Sequence, residues 1–131
     1  MFFFPLQPVE KVSQVYSLGD LGIVACKKGL GKGAFPSKTW SIMAAQRPVL
    51  SSFDADSALA KQIEATGCGV NAQAGDLDAL VSSIQQLYQD RTAAERMGKT
   101  GREYVLTNLS KEKCTGMYVS TLKESVEEAN R

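Results

Sequence analysis

The 131 residues suffice for one ordinary domain, and an apolar fraction of 44% is enough to bury a core. A formal net charge of +1 gives no global attraction to nucleic acid or to an anionic membrane. The chain has no histidine, which sets aside metal sites and His-based triads.

Apolar strand-like runs alternate with helical patterns along the chain. "MFFF" reads as a buried strand. "MFFFPLQP" as a whole stops at Pro5 without a basic leader and is too short for a signal peptide or a membrane span. "VEKVSQVYSLG" sets Val12, Val15, Tyr16 and Leu18 on one helical face, with Gly19 ending the helix. "LGIVAC" is a short strand, "SKTWSIMAA" a helix and "RPVLSS" another strand. "DSALAKQIEATG" is a helix capped by Asp56 or Ser57, with Gly67 past its end. "CGVNA" is the fourth strand. From Asp76, "DLDALVSSIQQLYQD" repeats Leu77, Leu80, Val81, Ile84, Leu87 and Tyr88 at three and four residues, the clearest helix in the chain. "TAAE", Thr92 to Glu95, has the form of a capping box that opens the next helix. Ser110 caps the last one, where Met117, Tyr118, Leu122 and Val126 form a stripe that reads as packing.

This order predicts an α/β fold, a Rossmann-like parallel sheet with helices on both faces in three layers, in a single domain over residues 1–131 with C-terminal helices at about 92–128. About four strands are fewer than the five or six of doubly wound nucleotide domains, so the domain reads as incomplete. A sheet cut in this way exposes an unpaired apolar edge, and the chain is expected to form a homo-dimer there, swap or aggregate unless something covers that edge. Cys26, Cys68 and Cys114 are odd in number, widely spaced and without a CxxC pattern, which points to reduced thiols in a cytosolic protein. The small and apolar neighbours of Cys26 and Cys68 mark both as buried structural thiols.

The strongest chemical signal is "GLGKGAFPSKTW" between the second strand and the next helix. Ligands of open parallel sheets bind beyond the carboxyl ends of the strands. Glycines let a backbone approach a ligand, and a helix start offers N–H groups and partial positive charge. Lys27, Lys28, Lys32 and Lys38 add point charges, and Ser37 and Thr39 add hydroxyls. From Leu21 to Phe53 there is no Asp or Glu, against five Lys or Arg. The imbalance suits a phosphate or diphosphate. A solvated surface loop has the same composition, and the position between strand and helix start favours the anion site. The loop is neither a P-loop nor a GxGxxG motif. Asp54 and Asp56 read as turn and cap residues, Asp76 and Asp78 as helix-start residues, and Arg47 as a surface charge. Phe35 and Trp40 fit base stacking or core packing equally.

The pattern PSK-x-x-x-x-MA-x-x-x-PV, from Pro36 to Val49, resembles the C-terminal donor-binding domain of retaining glycosyltransferases of the B-type fold, family 4, glycosyl transferases group 1. "GCGVNAQAGDLDALVSSIQQLYQD" and "ERMGKTGREYV" are similar to later segments of that family, so the resemblance runs from the chain start to about Leu122. It implies transfer of a sugar from a nucleotide diphosphate sugar, often a UDP-sugar, to a polysaccharide, lipid or other glycoconjugate acceptor. The sugar nucleotide is a substrate, and no separate cofactor is implied. In the resemblance Lys28, Gly31, Lys32, Gly33, Pro36, Ser37, Lys38, Thr39 and Ser41 hold the diphosphate and sugar, and the loop Phe53–Ser57 lies close by. Gly33 and Ser41 stand where many members carry the two carboxylates of an E-x7-E pair, so a usual ribose contact is lost. The resemblance assigns no catalytic residue here. It implies a missing N-terminal acceptor domain and a cytoplasmic enzyme, peripheral at the inner membrane face, with no nucleic-acid partner and no transmembrane segment. On its own the chain is expected to be inactive. The alternatives are a folded fragment that binds nucleotide or phosphate without catalysis, and an interaction domain with no ligand.

Overall fold

A computed structural model describes residue 3 and residues 5–129. Three parallel strands, β1 (Gly22–Ala25), β2 (Val49–Phe53) and β3 (Gly69–Gln73), lie in the order β1-β2-β3. Gly22 is level with Val49, and Val49 with Gly69, so the carboxyl ends of the strands are aligned. Strand β2 is buried along its whole length, as a central strand covered on both faces must be.

The two faces carry separate cores. Val24, Val49 and Phe53 pack against Ile42 and Met43 of α2 (Lys38–Ala44) and against Leu59 and Ile63 of α3 (Ala58–Thr66). On the other face Leu50 packs against Leu87 of α4 (Leu77–Gln89) and Ala94 of α5 (Arg91–Asn108). The architecture is the expected three-layer α/β sandwich. Side chains of β2 alternate between the cores with period two, Val49 and Phe53 to one and Leu50 to the other.

Helix α5 also packs against α2, and close approach requires glycine there. A Cβ on Gly98 would stand 2.4 Å from the Gln46 carbonyl oxygen. Arg102, one turn on, donates from Nη1 to the Ala44 carbonyl. The "MGKTGR" segment is therefore the joint that fixes the end of α2.

Caps follow local chemistry. The Ser57 hydroxyl, not Asp56, accepts from the Ala60 N–H at 3.2 Å, and Gly67 closes α3 in the left-handed conformation with φ 65°. Asp76 caps α4 by accepting from Ala79 N–H at 2.9 Å. The capping-box reading of Thr92–Glu95 is overturned. Asp90 Oδ1 accepts from Ala93 N–H at 2.9 Å, so the helix begins at Arg91 and Thr92 lies inside it. A carboxylate two residues upstream competes successfully for the same N-terminal donors.

Three other expectations change. Phe3 is 88% exposed and lies outside any strand, and the rest of "MFFF" falls outside the described residues, so the described sheet has three strands and not four. The first helical pattern forms a 3-10 turn (Val9–Lys11) and α1 (Val12–Ser17), but only Tyr16 of its apolar face reaches the core; Val12, Val15 and Leu18 are exposed. Helix α6 (Lys111–Ala129) forms with Ser110 Oγ accepting from Lys113 N–H at 3.2 Å, as the cap predicts. Its stripe does not pack: Met117, Tyr118, Leu122 and Val126 are all at least half exposed. Helical periodicity marks a face that could be buried; whether anything lies against that face is a tertiary matter. Cys68 is fully buried, Cys26 partly buried and Cys114 exposed, all as free thiols.

Candidate functional site

Three loops meet at the carboxyl end of the sheet. The loop after β1 carries Lys27 to Ser37 and includes a 3-10 turn, Gly31–Gly33. Gly29 has φ 82°, a conformation that costs most residues free energy and glycine little. The loop after β2 supplies its anchors. Asp54, only 8% exposed, accepts from the Gly29 N–H at 2.8 Å through Oδ2. Gly31 is buried against Phe53; a Cβ there would meet the Phe53 ring at 2.9 Å. Lys32 Nζ pairs with Asp56 at 2.9 Å, with both side chains exposed. The loop after β3 closes the group, since Lys28 runs past Gly75.

The anchors are themselves held. Asn71 and Gln73 alternate along β3 and turn their amides towards the end of β2. Asn71 Oδ1 accepts from Ser51 Oγ at 2.6 Å and from Phe53 N–H at 3.2 Å, and its Nδ2 donates to the Phe53 carbonyl at 3.1 Å. Gln73 Oε1 accepts from Ala55 N–H at 3.1 Å, and its Nε2 donates to Asp54 Oδ1 at 3.3 Å. A glycine-rich loop is thus tied at Gly29, Gly31 and Lys32 to a strand end that is rigid in turn. Sequence reasoning gave Asp54 only a turn role and passed over Asn71 and Gln73. The available signal was two polar amides two residues apart on one face of an otherwise apolar strand.

The charges of the loop divide into two kinds. The hydrogen bond from Lys32 holds the Asp56 carboxyl below its usual range, and the same bond raises the Lys32 ammonium above its own. Lys27, Lys28 and Lys38 make no ion pair among the described residues, and all are exposed. They leave a net positive surface over the strand ends.

At the start of α2 the N–H groups of Thr39 and Trp40 bond back to Pro36 and Ser37 at 3.0 and 3.1 Å. Those of Ser37 and Lys38 have no acceptor among the described residues. Ser37 and Lys38 are exposed, Pro36 and Ser41 half-buried, and Gly33 is open to solvent. Thr39 differs from the expectation of a presented hydroxyl: it is 1% exposed, and its Oγ1 is buried without a hydrogen-bond partner. Trp40 lies between Phe35 and Tyr104, with ring centroids 5.1 and 6.4 Å away, which makes it a packing residue. Arg47 is remote from the loop, ahead of β2, where its Nη2 donates to the Ser17 carbonyl at 2.8 Å.

No family model matches the chain. The chain is 26% identical over 124 residues to WcaI of Escherichia coli, named as a colanic acid biosynthesis glycosyl transferase. That match covers 94% of this chain and 30% of the relative. Among solved structures, sucrose-phosphate synthase from Thermosynechococcus elongatus superposes with a TM-score of 0.72 at 24% identity. It covers 92% of this chain and 28% of that one. The chain therefore spans about a third of the length of the proteins it matches. No described helix is long and apolar enough to cross a membrane. In sequence the chain resembles a stretch of a glycosyl transferase, and its fold is that of a part of sucrose-phosphate synthase.

Proposed function

We propose that the chain is the later part of the donor-binding domain of a glycosyltransferase. The full enzyme would move a sugar from a nucleotide diphosphate sugar to a glycoconjugate acceptor. One observation carries the reading: the anchored, lysine-bearing loop stands at the carboxyl ends of parallel strands, in a chain similar to a glycosyl transferase over nearly all its length. Lys28, Lys38 and the N–H groups of Ser37 and Lys38 would hold the diphosphate, with Gly31 and Gly33 allowing close approach. Lys32 would reach it only by sharing or leaving Asp56. Held cations and N–H groups stabilise the charge that develops on a departing nucleoside diphosphate without having to reorganise. Ser41, half-buried on α2, would face the nucleotide with a hydroxyl where relatives of this kind use a carboxylate. A second reading, nucleotide binding without catalysis, rests on that loss of both carboxylates at Gly33 and Ser41.

Calorimetric titration of the folded chain with UDP, and with GDP for comparison, tests the proposal. Lys38→Ala should weaken binding by roughly 1.5–3 kcal/mol, the value of a charge-assisted hydrogen bond, or about tenfold to a hundredfold. Unchanged affinity removes Lys38 from the site. No binding of either nucleotide shows that the loop of this chain is not sufficient as a donor site.

A further inference from the structure

Hydrogen-bond donors meet position 54 from two sides. Asp54 Oδ2 accepts from the Gly29 N–H at 2.8 Å and Oδ1 from Gln73 Nε2 at 3.3 Å, and the residue is only 8% exposed. Neither donor can be turned round. The Gly29 donor is backbone. The Gln73 amide is locked at its other end, where Oε1 accepts from the Ala55 N–H at 3.1 Å. Flipping that amide would set its NH2 against an N–H. The side chain at position 54 must therefore offer two acceptors and no donor. An ionised aspartate does so. Asparagine, its isostere, does not, because either orientation of its amide sets donor against donor.

The carboxylate holds the turn that carries the free cations of the loop. Leu30 N–H donates to the Lys27 carbonyl at 3.0 Å and closes a turn over Lys27–Leu30, with Gly29 at φ 82°. Gly29 is exposed and has no side chain to pin it, so the bond to Asp54 ties the turn to the end of β2. Lys27 and Lys28 make no ion pair among the described residues, and Lys28 lies along Gly75. We propose that Asp54 is the positioning residue of this loop. Oriented by Gln73 and touching no ligand, it fixes the Gly29 turn and so aims Lys28 at the diphosphate before the nucleotide arrives. The inference rests on the donor-site reading above. It accounts for an acid buried beneath an otherwise cationic loop: its charge works against an anionic ligand, and its value lies in what it orients. A loop ordered beforehand loses less conformational freedom on binding.

Exchanging the chemistry of the two side chains tests the proposal, with residue-resolved hydrogen exchange by NMR and calorimetric titration of the full chain with UDP. In the parent the Gly29 amide should be protected although the residue is exposed. Asp54→Asn should speed its exchange by about tenfold or more, leave the β2 amides as they were and weaken UDP binding by about tenfold. Adding Gln73→Glu should restore both. The carboxylate then stands at position 73, where it accepts from the Ala55 N–H and from the amide at position 54, whose oxygen keeps the Gly29 bond. Lys28→Ala should cost less affinity in the Asp54→Asn background than in the parent, a coupling that a merely structural role for Asp54 would not produce. Gln73→Ala removes one donor without a clash and should loosen Gly29 more mildly, which keeps the test open if Asp54→Asn does not fold. An unchanged Gly29 exchange rate overturns the proposal, and so does a freed Gly29 with UDP affinity intact. A parent that binds no UDP tells against the donor-site reading instead, and the exchange rates then decide alone whether Asp54 holds the loop.

Discussion

Replacing Gly98 by alanine isolates the α2–α5 joint from helix propensity. In an exposed helix interior, glycine to alanine stabilises by about 1 kcal/mol. At Gly98 the added Cβ would stand 2.4 Å from the Gln46 carbonyl oxygen, well inside contact distance. That carbonyl cannot retreat easily. Gln46 sits at φ 59°, and its N–H and that of Arg47 are bonded to Met43 and Ile42 at 2.9 and 3.2 Å. Overpacking of this kind costs roughly 1–3 kcal/mol, and a backbone neighbour with little freedom puts Gly98 at or above the upper end. After the propensity gain, a net loss of about 2 kcal/mol remains. For a domain of this size the midpoint of thermal unfolding should fall by roughly 4–8 °C. Gly116 on α6 is the control, because a Cβ there meets nothing within 4 Å. Gly116→Ala should leave the midpoint unchanged or higher and raise the helical signal. Urea and thermal unfolding followed by circular dichroism read both variants. A Gly98→Ala protein as stable as the parent would refute the close approach of α5 to the end of α2.

Other consequences of the structure are equally open to measurement. The Thr39 hydroxyl is buried and unpartnered, so Thr39→Val should stabilise the fold by about 1 kcal/mol in urea unfolding; a loss of that size would mean the hydroxyl has a partner. Asp56 should titrate below its usual range, and Lys32→Ala should return it there, as followed by carboxyl carbon NMR. Because the Asp56 value is lowered on folding, the pair's contribution is present above the ordinary aspartate range and is lost as pH falls through the lowered value. Because the Lys32 value is raised, the contribution is lost at the alkaline end as pH rises through that higher value. Salt should weaken the effect, since both groups are exposed. Burial pushes the Cys68 thiol up, so Cys68 should resist alkylation until the chain unfolds, whereas exposed Cys114 should react at once. Rapid loss of the Cys68 thiol in the native state would contradict its position between the strands and α5.

The sequence by itself determined most of the local structure. Alternating apolar runs and caps located β1, β2, β3 and the helices α2 to α6 to within a few residues, because propensity, capping and periodicity act over one or two turns of chain. The parallel sheet followed from the strand–helix alternation, and the lysine-rich loop was visible because acidic residues are missing on both sides of it. The PSK pattern added the family resemblance. Tertiary structure decided what each of these segments touches. The apolar stripe of α6 and the face of α1 have helical spacing, yet little or nothing packs on them, since periodicity carries no information about a distant partner. Asp54, Asn71 and Gln73 became the supports of the loop only when parallel pairing brought the ends of β2 and β3 beside it. Gly98 reads as a weak helix residue until α5 crosses α2 and leaves no room for a Cβ. Contacts between residues far apart in the chain depend on how the strands stack and the helices cross, and no local pattern encodes that.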